Sequence, residues 1–429
     1  MSVLRISGGK RLEGAVRVQG AKNSVLPVMA ASILSHGETV IHNCPNLSDV
    51  NAAIQILRHL GCVCKREGER VIIDSREVVR SDIPHELMLE MRSSIIFLGA
   101  ILARCGEAKI STPGGCELGP RPVDLHLFAL RKMGAEIIEE GGNIVCRAGR
   151  LTGCRVNFLL PSVGATENAM LAATSCEGTT IITNAACEPE IWDLQNYLTG
   201  LGFSVSGAGT PTVTVAGKHV TSDAEHFVIP DRIVAATFLS AAAVSKGEIE
   251  LLEVIPSHFS TVTDALSEMG CDIKIGQSAV HIKSEGKLRA IKPVVTQPYP
   301  GFPTDAQPPL LAASLTAEGT TVFIENIFDN RYRHVGELRR MGADIKIEGR
   351  VAMVSGVKKL YGAPVSSTDL RGGAALCVAA LGAEGVTDVL GLAHIDRGYD
   401  NLSGTLEKLG ADIARIDNTG RTKERGARQ

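Results

Sequence analysis

Charged side chains recur at one position along the chain. Lys22 lies 15 residues before Gly37, Arg92 14 before Gly106, Arg232 15 before Gly247, Asp305 14 before Gly319 and Arg371 14 before Gly385. In the one remaining case the place falls to Gly164, inside Pro161-Ser162-Val163-Gly164-Ala165-Thr166. A second set lies 13 residues ahead of another glycine series: Arg121 before Gly134, Asp329 before Gly342 with Arg331 two residues on, and Arg397 before Gly410. Both sets fall where helices are expected to start. A helix N-terminus is already positive and exposes unpaired N–H groups, so basic residues are disfavoured there unless an anion is also present. N–H groups, helix dipoles and guanidinium forks together bind phosphate or carboxylate. A single such arginine is adequately explained by an incidental ion pair. The whole set implies an anionic ligand with more than one phosphate or carboxylate group.

The stretch Thr112–His126 holds three Gly, three Pro and one Cys in 15 residues. It reads as a loop that closes over a site. Cys116, near Arg121 in that loop, is placed to ionise or to donate a proton. Most of the other cysteines fall in helix or strand patterns and read as small buried hydrophobes. There is no C-x-x-C, so neither a metal site nor a disulfide framework is expected. Asp305, in Gly301-Phe302-Pro303-Thr304-Asp305-Ala306-Gln307, reads equally as a helix cap or as a group with chemistry to do. Asp49 and Glu188 open outer helices, where capping explains both. Arg397 is expected at a helix start that follows a strand.

These residues are positioned by a repeat. Gly61, Gly134, Gly202, Gly270, Gly342 and Gly410 each follow Leu or Met, and each ends a helical pattern before a strand pattern. Gly37, Gly106, Gly178, Gly247, Gly319 and Gly385 interleave with them at nearly the same period. Glycine suits the left-handed position that ends a helix. The unit is helix, strand, helix, strand, six times over. Its first helix, as in Ala235–Val244 and Ala374–Leu381, is made of small apolar residues and is expected to be buried. Its second, as in Asn51–Leu60, has a polar face and is expected outside. Six units fit two domains of three, with the break near Thr221–Pro230.

Composition agrees with such a core. Of 429 residues 45 are Gly, 44% are hydrophobic and only 4% are aromatic, so Ala, Leu, Ile and Val must fill the interior. That balance excludes a disordered chain. A net charge of −3 gives no electrostatic case for a nucleic-acid partner. The longest apolar run, Gly372–Ala383, is too short to span a membrane, and the N-terminus carries no signal peptide. A cytoplasmic protein is expected. The oligomeric state is not set by the sequence.

The motifs together resemble the UDP-N-acetylglucosamine enolpyruvyl transferase family. The likeness runs from Ile6-Ser7-Gly8-Gly9 to about Ile416 and includes Gly20-Ala21-Lys22-Asn23, Met91-Arg92-Ser93-Ser94-Ile95, Pro113-Gly114-Gly115-Cys116, Arg121-Pro122-Val123-Asp124-Leu125-His126, Ser162-Val163-Gly164-Ala165-Thr166, Phe302-Pro303-Thr304-Asp305 and Asp396-Arg397-Gly398-Tyr399. It implies a two-domain inside-out α/β barrel of six β-α-β-α-β units. Residues 22–229 would form one domain, with the Cys loop and nucleotide-sugar contacts. Residues 1–21 and 230–416 would form the other, 417–429 would be a flexible tail, and the family's active site lies in the cleft between the domains.

The implied reaction moves the enolpyruvyl group of phosphoenolpyruvate to the 3′-hydroxyl of UDP-N-acetylglucosamine and releases phosphate, the first committed step of peptidoglycan precursor synthesis. Cys116 matches the proton donor, which fosfomycin alkylates, and Asp305 the group at the 3′-hydroxyl. Lys22, Asn23, Arg92, Arg121 and Arg397 match the phosphoenolpyruvate contacts, with Lys22 and Arg397 also counted as catalytic. Asn23, Arg92, Arg121, Pro122, Val123, Asp124, Leu125, Ser162, Val163, Gly164, Asp305 and Ile327 match those to the nucleotide sugar. No metal or organic cofactor is implied. Glu117 and Pro120 depart from the family pattern beside Cys116. Two rivals remain: the sister enzyme acting on shikimate 3-phosphate, and a non-catalytic paralogue that binds the nucleotide sugar.

Overall fold

Twelve helices alternate between two environments along the chain in this computed structural model, which describes residues 2–91, 93–112, 123–217 and 223–416. In order they are α1 (Lys22–Ala31), α2 (Ser48–Leu60), α3 (Phe97–Cys105), α4 (Asp124–Lys132), α5 (Val163–Ala173), α6 (Pro189–Gly200), α7 (Arg232–Val244), α8 (Ser260–Glu268), α9 (Gln307–Ser314), α10 (Val335–Arg340), α11 (Leu370–Leu381) and α12 (Leu402–Lys408). Two short helices, His85–Glu90 and Leu392–Ile395, lie outside this alternation.

The odd-numbered helices are the inner ones. Every residue of α11 from Arg371 to Leu381 is buried, as is every residue of α7 from Arg232 to Ala243. Small side chains allow this. A Cβ at Gly373 would lie 2.3 Å from Ser367 Oγ, so the backbone of α11 approaches its neighbours more closely than alanine would permit. The even-numbered helices bury one face, as in α2, where Val50, Ala53, Ile54, Leu57 and Leu60 point inward.

Six four-stranded sheets cover the inner helices. In one of them, Thr179–Thr183 pairs in parallel with Arg155–Asn157 and antiparallel with Thr212–Ala216, which pairs antiparallel with Ser204–Ser206. Each repeat thus contains the β-α-β-α-β succession and closes on one further hairpin strand. The two-domain inside-out α/β barrel is the observed fold class.

The described residues form two compact units: 20–112 with 123–229, and 2–19 with 230–416. Each closes its ring with a strand distant in sequence. Ala224–Phe227 pairs in parallel with Glu38–His42 in the first unit. Val3–Ser7 lies between Val386–Leu390 and Asp412–Ile416 in the second. In the second unit α7, α9 and α11 pack on one another; in the first, α3 packs on both α1 and α5.

The outer-helix glycines all adopt positive φ, from 94° at Gly202 and Gly342 to 110° at Gly61. The inner-helix series does so at Gly106, Gly178, Gly319 and Gly385, but not at Gly37 and Gly247. There the left-handed residue is one position earlier, at His36 (φ 55°) and Lys246 (φ 53°). Glycine at position 247 is required sterically instead, since a Cβ there would lie 2.7 Å from the Leu12 carbonyl oxygen.

Candidate functional site

Lys22 and Arg232 are the first residues of α1 and α7, and Arg371 is the second of α11. Asp305 lies in the 3-10 turn Thr304–Ala306 that leads into α9, and Gly164 is the second residue of α5. The spacing rule therefore locates the inner-helix starts. Arg92, Cys116, Arg121 and Pro122, with residues 417–429, lie outside the described residues.

In the unit of residues 230–416, Asp305 does not cap a helix. One carboxylate oxygen accepts from Arg331 Nη2 at 2.7 Å and the other from Arg371 Nε at 3.1 Å. Both arginines are almost fully buried, at 1% and 2% side-chain exposure, while Asp305 is 27% exposed. Arg331 also donates twice to the Thr304 carbonyl, at 3.1 and 2.6 Å, which fixes its fork on the turn. Burial alone would lower the basicity of Arg371, but the Asp305 carboxylate outweighs it and the net shift is upward. Arg371 Nη1 and Nη2 are buried and reach no hydrogen-bond partner among the described residues. Buried guanidinium donors left unmet by the protein are costly, so they mark a place for an anionic group or for water.

The helix starts here are capped by other aspartates. Asp231 accepts from the N–H groups of Ile233 and Val234 at the start of α7, at 2.9 and 3.1 Å. Asp369 accepts from those of Arg371 and Gly372 at the start of α11, at 3.1 and 2.9 Å. Ile327 is 39% exposed in a turn held by Glu325, which accepts from the Ile327 and Phe328 N–H groups at 2.8 and 3.0 Å.

Arg397 corrects an expectation. It does not start a helix after a strand; it lies in the turn between the short helix Leu392–Ile395 and α12. Gln19 holds that turn from both sides, donating to the Gly398 carbonyl at 3.2 Å and accepting from the Asp400 N–H at 2.9 Å. Arg415 grips Asp396 through two bonds of 3.0 and 2.7 Å.

In the unit of residues 20–229, Lys22 pairs with Asp49 at 3.1 Å, with side-chain exposures of 12% and 1%. Capping was the expected role of Asp49 and Glu188. Neither α2 nor α6 has a side-chain cap bond, and Asp49 instead neutralises a lysine that would otherwise face the positive start of α1. Asn23 follows Lys22 in the first turn. Ser162 caps α5 by accepting from the Ala165 N–H at 3.4 Å, which places Val163 and Gly164 in its first turn. Val123, Asp124 and Leu125 form the start of α4, which packs against α5.

Sequence reasoning singled out Arg331 and Arg371 by position but gave neither a role. Its signal was sufficient to find them, because Arg371 obeys the same spacing as Lys22. The partnership with Asp305, 26 and 66 residues away in sequence, was not visible. Burial disposes of most thiols: it pushes Cys62, Cys146 and Cys377 up to about 12 and Cys64, Cys176 and Cys271 to about 11. Among the described residues no three His, Cys, Asp or Glu side chains gather as a metal site, and no helix is long and apolar enough to cross a membrane.

Known proteins agree with this arrangement. A family model for EPSP synthase (3-phosphoshikimate 1-carboxyvinyltransferase) matches residues 6–406. UDP-N-acetylglucosamine 1-carboxyvinyltransferase 2 of Caldanaerobacter subterraneus subsp. tengcongensis is 51% identical over 97% of this chain and 100% of its own length. The UDP-N-acetylglucosamine 1-carboxyvinyltransferase of Geobacter metallireducens is 44% identical over 97% and 100%. The crystal structure of the enolpyruvyl transferase NikO from Streptomyces tendae superposes with a TM-score of 0.88 at 26% identity, covering 99% of both chains. EPSP synthase from Acinetobacter baumannii, at 20% identity and a TM-score of 0.72 over 97% of this chain and 100% of that one, shares the fold. The chain belongs to this carboxyvinyltransferase family, among the relatives named UDP-N-acetylglucosamine 1-carboxyvinyltransferase.

Proposed function

We propose that the protein transfers the enolpyruvyl group of phosphoenolpyruvate to the 3′-hydroxyl of UDP-N-acetylglucosamine, releasing phosphate, as the first committed step of peptidoglycan precursor synthesis in the cytoplasm. The observation that carries the reading is the Asp305–Arg331–Arg371 group. It places a partly exposed carboxylate beside buried guanidinium donors that the protein leaves unmet. That is a hydroxyl acceptor next to an anion site, as the joining of an alcohol to an anionic enol ester requires.

In the proposed sequence Cys116 gives its proton to the methylene carbon of phosphoenolpyruvate. The 3′-oxygen forms a bond to the adjacent carbon, and its own proton passes to Asp305. The resulting tetrahedral ketal loses a proton from the new methyl group as its bond to the phosphate oxygen breaks. Lys22, Asn23, Arg92, Arg121 and Arg397 hold phosphate and carboxylate. Preorganised cations at developing charge are commonly the largest catalytic contribution. Asn23, Arg92, Arg121, Pro122, Val123, Asp124, Leu125, Ser162, Val163, Gly164, Asp305 and Ile327 hold the nucleotide sugar. The domain assignment of residues 22–229 against 1–21 with 230–416 belongs to the same proposal.

The test is phosphate release from phosphoenolpyruvate with each candidate acceptor. Release with UDP-N-acetylglucosamine is expected; release with shikimate 3-phosphate alone overturns the reading, and nucleotide-sugar binding without release favours the binding-only rival. Cys116→Ala should cost about 10²–10⁴-fold in kcat, the usual contribution of a general acid, with nucleotide-sugar affinity retained.

A further inference from the structure

Asn168, in the middle of α5, is fully buried and uses its whole amide. Its Oδ1 accepts from the Gly99 N–H of α3 at 2.7 Å. Its Nδ2 donates to the Ile95 carbonyl at 2.9 Å and to His126 Nδ1 on α4 at 2.6 Å. The two backbone partners settle the orientation, since an N–H only donates and a carbonyl only accepts. Nδ2 therefore faces His126, and His126 Nδ1 must be the acceptor. The ring is neutral, with its proton on Nε2.

The same ring lies against the start of α5. A Cβ built at Gly164 would be 3.0 Å from His126 Cε1 and 3.4 Å from Nε2. Glycine at this repeat position, where the other inner helices carry Lys, Arg or Asp, makes room for the imidazole. The α3–α5 contact is equally close, with a Cβ at Gly99 falling 2.3 Å from the Asn168 carbonyl oxygen.

Three segments meet at this pair: Ser93–Ile96 directly after Arg92, the start of α4 that contains Asp124 and Leu125, and the start of α5 at Ser162–Gly164. Each carries or adjoins residues assigned above to the nucleotide sugar. We propose that Asn168 and His126 are positioning residues for the nucleotide sugar: the buried amide holds His126 as the Nε2–H tautomer and so fixes the three recognition segments relative to one another. The inference rests on the proposed function. A satisfied buried polar network gives a unique geometry, whereas a half-satisfied one is worse than none.

Calorimetric titration with UDP-N-acetylglucosamine tests it, alongside the KM of each substrate and nitrogen-15 spectra of histidine-labelled protein. Asn168→Asp keeps the acceptor for Gly99 but loses both donors; His126→Leu loses the ring acceptor. Each should raise the nucleotide-sugar Kd and KM about tenfold, as expected for a lost buried hydrogen bond, with the phosphoenolpyruvate KM within about twofold. His126→Asn returns an acceptor to the Nδ1 place and should recover to within about threefold of wild type. The wild-type spectrum should show Nε2–H, and Asn168→Asp should move the proton to Nδ1. Folded Asn168→Asp or His126→Leu protein with wild-type affinity, or an Nδ1–H wild-type ring, overturns the inference alone. If Asn168→Asp does not fold, the two His126 variants decide. Wild-type protein that binds no UDP-N-acetylglucosamine overturns the inference and the proposed function together.

Discussion

At its inner-helix starts the unit of residues 230–416 sets full charges against one another. Asp231 and Asp369 cap α7 and α11, and Arg331 with Arg371 clamps Asp305. The unit of residues 20–229 keeps one described ion pair at such a start, Lys22 with Asp49. Elsewhere it uses neutral groups: the Ser162 hydroxyl, the Asn168 amide and the neutral His126 ring. The repeat prescribes where helices begin but not which chemistry stands there. Buried charges persist only with partners, so the charged unit needs its carboxylates and guanidiniums as sets. The other unit satisfies its backbone with hydroxyl and amide groups and can bring helices closer, as at Gly99 and Gly164.

The contrast is broken first by Arg371→Ala. Removing one partner from a buried charge pair typically costs about 3–5 kcal/mol, and the loss should appear in urea unfolding and as faster amide exchange in α11. Lys22→Ala, at a more open pair, should cost less than half as much; equal losses would erase the distinction between the units.

Two buried titratable groups give the units opposite responses to pH. Burial pushes His334 down to about 4, with Asp369 partly opposing and Arg331 assisting. Its unfolded value is higher, so the unfolded chain takes up the proton first and stability falls as pH drops from about 6.5 toward 4. The shift corresponds to a loss on the order of 3 kcal/mol, which His334→Gln should largely remove. Burial, with Glu190 and Glu188 nearby, raises the Glu167 carboxyl well above its ordinary value of 4.5. A raised acid stabilises below 4.5 and loses that contribution as pH rises. Glu167→Gln should therefore gain stability relative to wild type at pH 8 and gain none at pH 4. Amide exchange read separately in each unit checks both; parallel pH profiles for variants and wild type would refute them.

The smallest effect concerns caps. Asp369→Ala, which loses two bonds to N–H groups, should cost about 1–2 kcal/mol, and Ser162→Ala, which loses one longer bond, about 0.5–1 kcal/mol. Thermal unfolding that ranks Ser162→Ala as the costlier change would contradict the charged-against-neutral division.

Much of this was legible in the residues. Helix ends announce themselves because glycine alone takes the left-handed conformation cheaply, and every outer-helix glycine does so. At His36 and Lys246 the same signal misleads by one residue, because local packing there moved the left-handed turn and left the glycine for steric reasons. Arg397 was misplaced for a related reason. A short helix before it, Leu392–Ile395, breaks the repeat, and four residues carry too little periodicity to be seen.

The sequence by itself determined the repeat, the buried character of the inner helices and the positions of Lys22, Arg232, Asp305 and Arg371 at helix starts. These are local consequences of spacing, side-chain size and backbone freedom. Only the tertiary structure decided which of those charges meet. Asp305 reads as an ordinary cap until Arg331 and Arg371 arrive from other elements, and Asp49 until Lys22 does. Gly164 reads as a gap in the pattern until His126 fills it. Partners separated by tens of residues are chosen by packing, and no local pattern of residue types records that choice.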